Sequence, residues 1–369
     1  MNMMRAARLH EVATPFTIDE IDVPEPTGTD VLVRVRACGI VPNLKNVVTH
    51  YPEWFPFLPL PRLPAIYGLD PAGEIAAVGP DVQHLEVGQC VYVNPLRACG
   101  SCRPCRDGKM IACRALIFAG YFGFVEGAQS MFDRYPWGGL GEYMIAPSSS
   151  LVSLPDTVTF EQAARFGYLG TAYGALRRAN VGPHTSVLIN GATGTIGVGA
   201  ILLCLAMGVP KILAVARNEE ILARLHALDP RRIFVHSNHN GPCTEWARQL
   251  TEGDGVDVVL EALGPGAPPQ ATLDAFHAVS RAGTLVTVGG MDEKLPFDPI
   301  WLMCNQISYL GSCWFSTQQG HDMANMAGSG ALDLSPLENI CFPLDRVNEA
   351  LDAARHRSDG GMQNIVVTL

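Results

Sequence analysis

The chain has 369 residues and a formal net charge of −10; 17% of its residues are charged and 48% are apolar. That acidic balance sets it against polyanions, which excludes nucleic acid and anionic lipid surfaces as partners. The apolar share excludes a disordered chain, and at about 150 residues per domain the length suits two. The opening MNMMRAARLH has no apolar core before a small-residue cleavage site, so a cytoplasmic protein is expected. The longest apolar run, residues 197–209, is too short to span a bilayer.

In chain order, VLVRVRACGI (31–40) alternates and is rich in β-branched residues, which predicts a strand. PAGEIAAVGPDV (71–82) reads as a strand running into a Gly-Pro turn, and QCVYVNP (89–95) as another strand. Prolines crowd 52–64, so an ordered loop without helix is expected there. The run CGSCRPCRDGKMIAC then brings Cys99, Cys102, Cys105 and Cys113 together with the spacing C-x2-C-x2-C-x7-C. Four thiolates so close can close a tetrahedral shell around one Zn²⁺ with no position left for water, which makes a structural site. Two disulfides or an iron–sulfur cluster are the alternatives; disulfides would suit an exported chain. The other seven cysteines (Cys38, Cys90, Cys204, Cys243, Cys304, Cys313, Cys341) lie in apolar stretches and read as small core residues.

After Phe160 the rhythm changes. Residues 161–179 are helical in pattern, TSVLIN (185–190) is a short buried strand, and strands and helices then alternate. The predicted segments are 211–216, 219–228, 231–235, 244–252, 256–261, 268–281 and 284–288. Such alternation implies an α/β fold with a doubly wound parallel sheet. Strand 185–190 runs straight into Gly191-Ala192-Thr193-Gly194-Thr195-Ile196-Gly197 and an apolar helix. Glycines there permit a sharp turn and close approach to a pyrophosphate, while the helix start offers free N–H groups. The spacing G-x-x-G-x-x-G varies the usual dinucleotide fingerprint, and its place between strand and helix gives it weight.

The next strand ends in Ala214-Val215-Ala216-Arg217-Asn218. A carboxylate that would bind the ribose 2′-hydroxyl of NAD is missing, and the Arg217 guanidinium can pair with a 2′-phosphate. NADPH is therefore the expected cofactor; if Arg217 merely faces solvent, no acid remains to prefer NAD. Strands 256–264 and 283–290 end in glycine, where backbone near Leu263 and Gly289 would line the nicotinamide half.

These segments resemble the medium-chain dehydrogenase/reductase superfamily, the zinc alcohol dehydrogenase group. The resemblance rests on VRVRACGI (33–40), AGEIAAVG (72–79), the cysteine lobe, GGLGEYMIAP (138–147), GYLGTAYGAL (167–176) and the glycine loop. It implies a GroES-like β domain built from 1–166 and 313–369, with the zinc lobe at about 97–115, and a Rossmann domain at 167–312. It also implies an active site in the cleft between them, a cofactor contact at Thr171, and a homodimer paired edge to edge through 284–288 and 300–312.

Three family positions that supply the catalytic zinc have changed. The second cysteine of C-G-[IV]-C is Val41, the histidine of G-H-E is Leu69, and the third ligand, four residues before Thr171, is Gly167. None of these side chains coordinates a metal. A zinc rebuilt from Cys38, His50 and Asp70 is the counter-reading; Cys38 belongs to a strand, His50 to an aromatic loop, and Asp70 takes the place of a second-shell acid. The proton-relay hydroxyl of the family aligns with Asn43. Asn43 is the candidate donor to a substrate oxygen, Tyr51 or water the candidate proton source, and Asp70 completes the candidate catalytic set. The aromatic stretches 51–57 and 117–137 would line an apolar pocket for a hydrophobic or aromatic substrate.

The expected activity is hydride transfer from NADPH to an activated acceptor without catalytic zinc, preferably the C=C of an α,β-unsaturated carbonyl or a conjugated iminium. An NADP(H)-dependent alcohol dehydrogenase or carbonyl or quinone reductase is the enzymatic alternative, and a non-catalytic NADPH-binding protein the alternative of another class.

Overall fold

The computed structural model describes residues 2–369. Two large sheets carry it. A seven-stranded, largely antiparallel sheet contains Asp30–Gly39, Asp70–Val78, Cys90–Val93, Tyr143–Pro147, Leu151–Ser153, Glu338–Pro343 and Gln363–Thr368. The strand Asp30–Gly39 is its hub: it pairs with Asp70–Val78, with Tyr143–Pro147 and, at its end, with the last strand through Cys38 opposite Val367. The N-terminal third and the C-terminal strands of the chain thus share one sheet, while Met3–Leu9 and Thr17–Asp22 form a small sheet of their own with Ala65–Ile66.

The second sheet is parallel throughout and has six strands. Its spatial order is Ile233–Ser237, Lys211–Ala216, Ser186–Asn190, Val256–Glu261, Val279–Thr287 and Ser308–Gly311. In sequence order that is 3-2-1-4-5-6, the doubly wound arrangement whose crevice opens at the carboxyl ends of the strands beside the first one. The helix Thr195–Ala206 follows that first strand and packs on the helix Phe166–Arg178. It is apolar on nearly all sides, as a helix covered by both sheet and helix must be. No helix is long and apolar enough to cross a membrane among the described residues.

Several expectations are corrected. The helical stretch 161–179 is two helices, Phe160–Ala163 and Phe166–Arg178, because Arg165 between them turns inward to bond carbonyls of the C-terminal segment. The helix expected at 268–281 stops at Phe276, and 279–281 open the strand Val279–Thr287. That strand pairs first at Val256 and resumes at Val258 opposite Thr284, a bulge that local periodicity does not encode. The proline-rich loop holds one helical turn, Tyr51–Trp54, with Pro52 in the first turn where its missing N–H costs nothing. Strand 284–288 lies inside the sheet, whose edge strands are Ile233–Ser237 and Ser308–Gly311, so only the second of these falls in the stretch expected to pair. Of the seven scattered cysteines, Cys304, Cys313 and Cys341 are exposed and Cys90 is half-buried; only Cys38, Cys204 and Cys243 are core residues.

Candidate active site

Cys99, Cys102, Cys105 and Cys113 present their sulfurs within 4.8 Å of one another. Cys102 Sγ lies 3.5 Å from Cys105 Sγ and 4.0 Å from Cys113 Sγ. Four Zn–S bonds of about 2.3 Å in a tetrahedron set sulfurs about 3.8 Å apart, so the four fit one zinc ion. Backbone N–H groups of Cys99, Cys102 and Ala115 point at these sulfurs at 3.2–3.4 Å. Such donors favour thiolate, and with the N–H of Cys102 leading they draw Cys99 down to about 6. This is the only cluster of three or more His, Cys, Asp or Glu ligands converging within metal-binding reach among the described residues. His50 is not brought to Cys38 and Asp70: those two are buried neighbours on paired strands, whereas His50 is exposed and stacked on Trp54 at 4.5 Å.

At the crevice of the parallel sheet, Gly191 turns the chain at φ +89°, a left-handed conformation suited to glycine. A Cβ on Gly197 would stand 2.3 Å from the Gly191 carbonyl oxygen, so the helix packs this tightly only with glycine there. The N–H groups of Gly191 and Ala192 both donate to Val215 O, at 2.9 and 3.0 Å. Ala192 is buried, and its N–H is spent on supporting the loop. Gly194 caps the helix with no side-chain partner, which leaves the N–H groups of Thr195 and Ile196 for an anion. The Thr195 hydroxyl is turned the other way and accepts from Arg357 at 2.7 Å. Asn218 likewise spends its side chain, capping Glu219–Leu228 by accepting from Ile221 N–H at 3.0 Å.

Arg217 is exposed and makes no ion pair among the described residues. It borders a hollow of about 430 Å³ shared with Gly191, Thr193, Gly194, Asn218 and Leu263, and a neighbouring one of about 650 Å³. The guanidinium therefore stands beside the glycine loop, where an adenosine phosphate of a bound dinucleotide would lie. Sequence reasoning missed the brace behind this crevice. Glu261 accepts from Asn190 Nδ2 at 2.9 Å and from Leu263 N–H at 2.8 Å, fixing the turn that lines the cleft.

The crevice continues into a cleft of about 800 Å³ between the two sheets. Asn43, Tyr51, Thr171, Ile196 and Gly289 line it, together with Leu69 and Trp314. Thr171 donates its hydroxyl proton to Gly167 O at 2.8 Å, so it offers the cleft only lone pairs. Asn46 Nδ2 donates to Asn43 Oδ1 at 3.0 Å, and Asn43 Nδ2 donates to the Tyr51 hydroxyl oxygen at 2.5 Å. The chain fixes the Asn43 amide and leaves the Tyr51 proton free to donate. Burial pushes the Tyr51 phenol up, so it holds that proton at neutral pH.

Asp70 does not face this cleft, which corrects its placing among the catalytic residues. It is 1% exposed and borders a small inner chamber with Arg165, Tyr168, Thr195 and Arg357. Tyr92 donates to it at 2.9 Å. Burial pushes Asp70 up to about 7, against the pull of Tyr92 and Arg165. Arg165 is also buried, with carbonyl partners Gln363, Thr195 and Gly361 at 2.6–3.2 Å. The only sequence signal for this chamber is an arginine inside an apolar helical run. At Gly167, a Cβ would stand 1.9 Å from Asp70 Oδ1, so no larger side chain fits there as placed.

A parallel sheet in this order, a glycine loop at its crevice and a second β domain across a cleft define a nicotinamide-dependent oxidoreductase. Residues 27–156 match the family model for the alcohol dehydrogenase GroES-like domain, and 195–328 match that for zinc-binding dehydrogenases. An L-idonate 5-dehydrogenase of Vitis vinifera is 32% identical over 273 residues, covering 73% of this chain and 70% of its own length. An NAD-dependent alcohol dehydrogenase of Saccharolobus solfataricus is 27% identical over 370 residues, covering 98% and 100%. A solved structure described as a zinc-binding dehydrogenase of Sinorhizobium meliloti 1021 bound to NADP superposes with a TM-score of 0.82 at 22% identity, covering all of both chains. The chain belongs to the medium-chain dehydrogenase/reductase family of oxidoreductases.

Proposed function

We propose that this protein is an NADPH-dependent reductase that works without a catalytic zinc. It acts on an activated acceptor, with the C=C of an α,β-unsaturated carbonyl or a conjugated iminium preferred. The observation that carries the reading is the chemistry of three positions: Val41, Leu69 and Gly167 offer no donor atom where the family holds its reactive metal. When bound, NADPH supplies a hydride. The protein then has to steady the electron density that gathers on the substrate oxygen. Asn43 holds the Tyr51 oxygen, and the free phenolic proton can bond to that oxygen and transfer to it. Thr195 and Ile196 N–H groups and Arg217 are the proposed phosphate contacts, Arg217 choosing the 2′-phosphate.

The relatives named as alcohol dehydrogenases favour a second reading, oxidation of an alcohol or reduction of a carbonyl or quinone on the same scaffold. We further propose one structural zinc on the four cysteines, a substrate-binding half formed by 1–166 and 313–369, and a dimer joined at the edge Ser308–Gly311.

The test measures metal by mass on purified protein, then NADPH consumption with enals, enones, quinones and aldehydes, before and after chelation. One zinc per chain and chelator-insensitive turnover of conjugated acceptors are expected. A second metal whose removal abolishes turnover overturns the reading. Arg217→Ala should weaken NADPH binding at least tenfold while leaving NADH within about twofold, a shift worth about 1.4 kcal/mol or more; equal loss of both removes Arg217 as the selector.

A further inference from the structure

The 800 Å³ cleft has an unusual charge balance for a site in a chain rich in polar loops. No Lys, Arg or His lines it; its one charged residue is Asp292. Asp292 is exposed, and its Oδ1 accepts from Gly266 N–H at 3.1 Å, which holds the carboxylate at the rim of the cleft. The opposite walls are aromatic. Tyr51 packs edge-on to Phe55 at 4.9 Å and against Phe122 at 5.6 Å, and Phe118 lies 4.6 Å from Trp314. Trp54 adds a half-exposed ring at the mouth. Ring faces attract cations, and the rim carboxylate across the cleft from them adds to that preference. The cation of the crevice, Arg217, borders the neighbouring hollows and not this one. Positive charge therefore serves the phosphate end and negative charge the reacting end.

We infer that the acceptor is a planar molecule carrying a positive charge, an iminium in conjugation with its ring or double bond, selected by Asp292 and the surrounding rings. The inference rests on the reductase reading above and names its substrate class. The chemistry balances without a metal. The hydride of NADPH forms a C–H bond at the electrophilic carbon, the π pair moves onto nitrogen, and the positive charge is cancelled as NADP⁺ forms. No oxyanion develops, so a cleft lacking a Lewis acid is suited to it. An anionic acceptor is repelled by the same carboxylate.

The experiment compares phenyltrimethylammonium with its neutral isostere tert-butylbenzene, read by quenching of protein tryptophan fluorescence, with and without NADPH. A ring–cation contact strengthens binding by about two- to thirtyfold, and the Asp292 carboxylate adds to it, so the cation should bind about tenfold tighter in the NADPH-loaded protein. Asp292→Asn should reduce that preference to threefold or less while the isostere binds as before. Equal binding of the two probes, a preference that survives Asp292→Asn, or one that disappears when NADPH is bound each overturns the inference. Turnover is read separately with N-methyl-3,4-dihydroisoquinolinium and cinnamaldehyde. A cation preference without turnover of either sinks the reductase reading alone; turnover of cinnamaldehyde with no cation preference sinks the substrate class alone.

Discussion

Tyr51 can act as a proton donor because of what Asn43 does to it. The amide N–H fills the acceptor side of the phenol, and burial keeps the phenol protonated. Tyr51→Phe should lower kcat on an enone by about a hundredfold, within the usual range for losing a general acid, with KM changed less than threefold; steady-state rates check it, and an unchanged kcat shifts the role to water. Asp70 makes a different claim, on stability. Its carboxyl is pushed up to about 7, above the ordinary carboxylate range, so the folded protein keeps a proton that the unfolded chain releases. Stability is therefore greatest below about pH 4 as far as this group is concerned and falls as pH rises through about 7. The whole decline between about pH 4 and pH 7 amounts to roughly 4 kcal/mol at most. Asp70→Asn, which can still accept from Tyr92, should flatten the decline in melting temperature between pH 5 and pH 8; a decline as steep as in the parent assigns it to other groups. None of this was legible in advance. Arg165 and Gly361 are 196 residues apart, and the partners are backbone carbonyls, which carry no sequence signature. Asn43 and Tyr51 are each legible as candidates, but the bond that joins them across the helix Leu44–Thr49 is not.

At the scale of elements, strands and the glycine loop could be read because β-branched runs and Gly spacing are local signals. Helix ends could not where tertiary pairing decided them, as at 279–281, which join the sheet opposite Val256. The cysteine lobe was readable for the opposite reason: its chemistry depends on spacing more than on packing. Met110 and Ile111 in it are exposed, and its helices are single turns, so the proposed metal would supply what a core does not. Cys105→Ser should remove the zinc detected by native mass spectrometry. It should also raise amide exchange across 97–115 while the parallel sheet stays protected; full zinc content in the variant contradicts the assignment. Arg217 and Asn218 show the middle case. Their place after the second strand was predictable, yet the Asn218 side chain went to capping a helix, a competing use that any strand-to-helix turn invites.

Across the whole molecule, the parallel sheet ends in a strand with no neighbour. Ser308–Gly311 is flanked by exposed Ile300, Met303 and Tyr309, with Ile300 69% and Met303 71% exposed. Exposed apolar side chains beside an open strand edge are a liability for a solitary chain. The pair Ile300→Glu and Met303→Glu should convert a dimer into a monomer in light scattering coupled to gel filtration; a monomeric parent removes the dimer from the proposal. The same global view explains why the two sheets are locked. The last strand pairs with Cys38, and the turn before it donates Gly361 N–H to Thr193 O at 2.9 Å, so the end of the chain clasps the glycine loop.

Asp70 fills the space that a side chain at position 167 needs, and Asp70 is itself tied to Tyr92 and set against the arginine that carries the loop of the cofactor crevice. A larger side chain therefore cannot be placed at position 167 without moving Asp70. Enlarging that one position presses on the buried acid and, through Arg165, on the start of the glycine-loop helix, so the foundation of the crevice depends on the smallest residue in it.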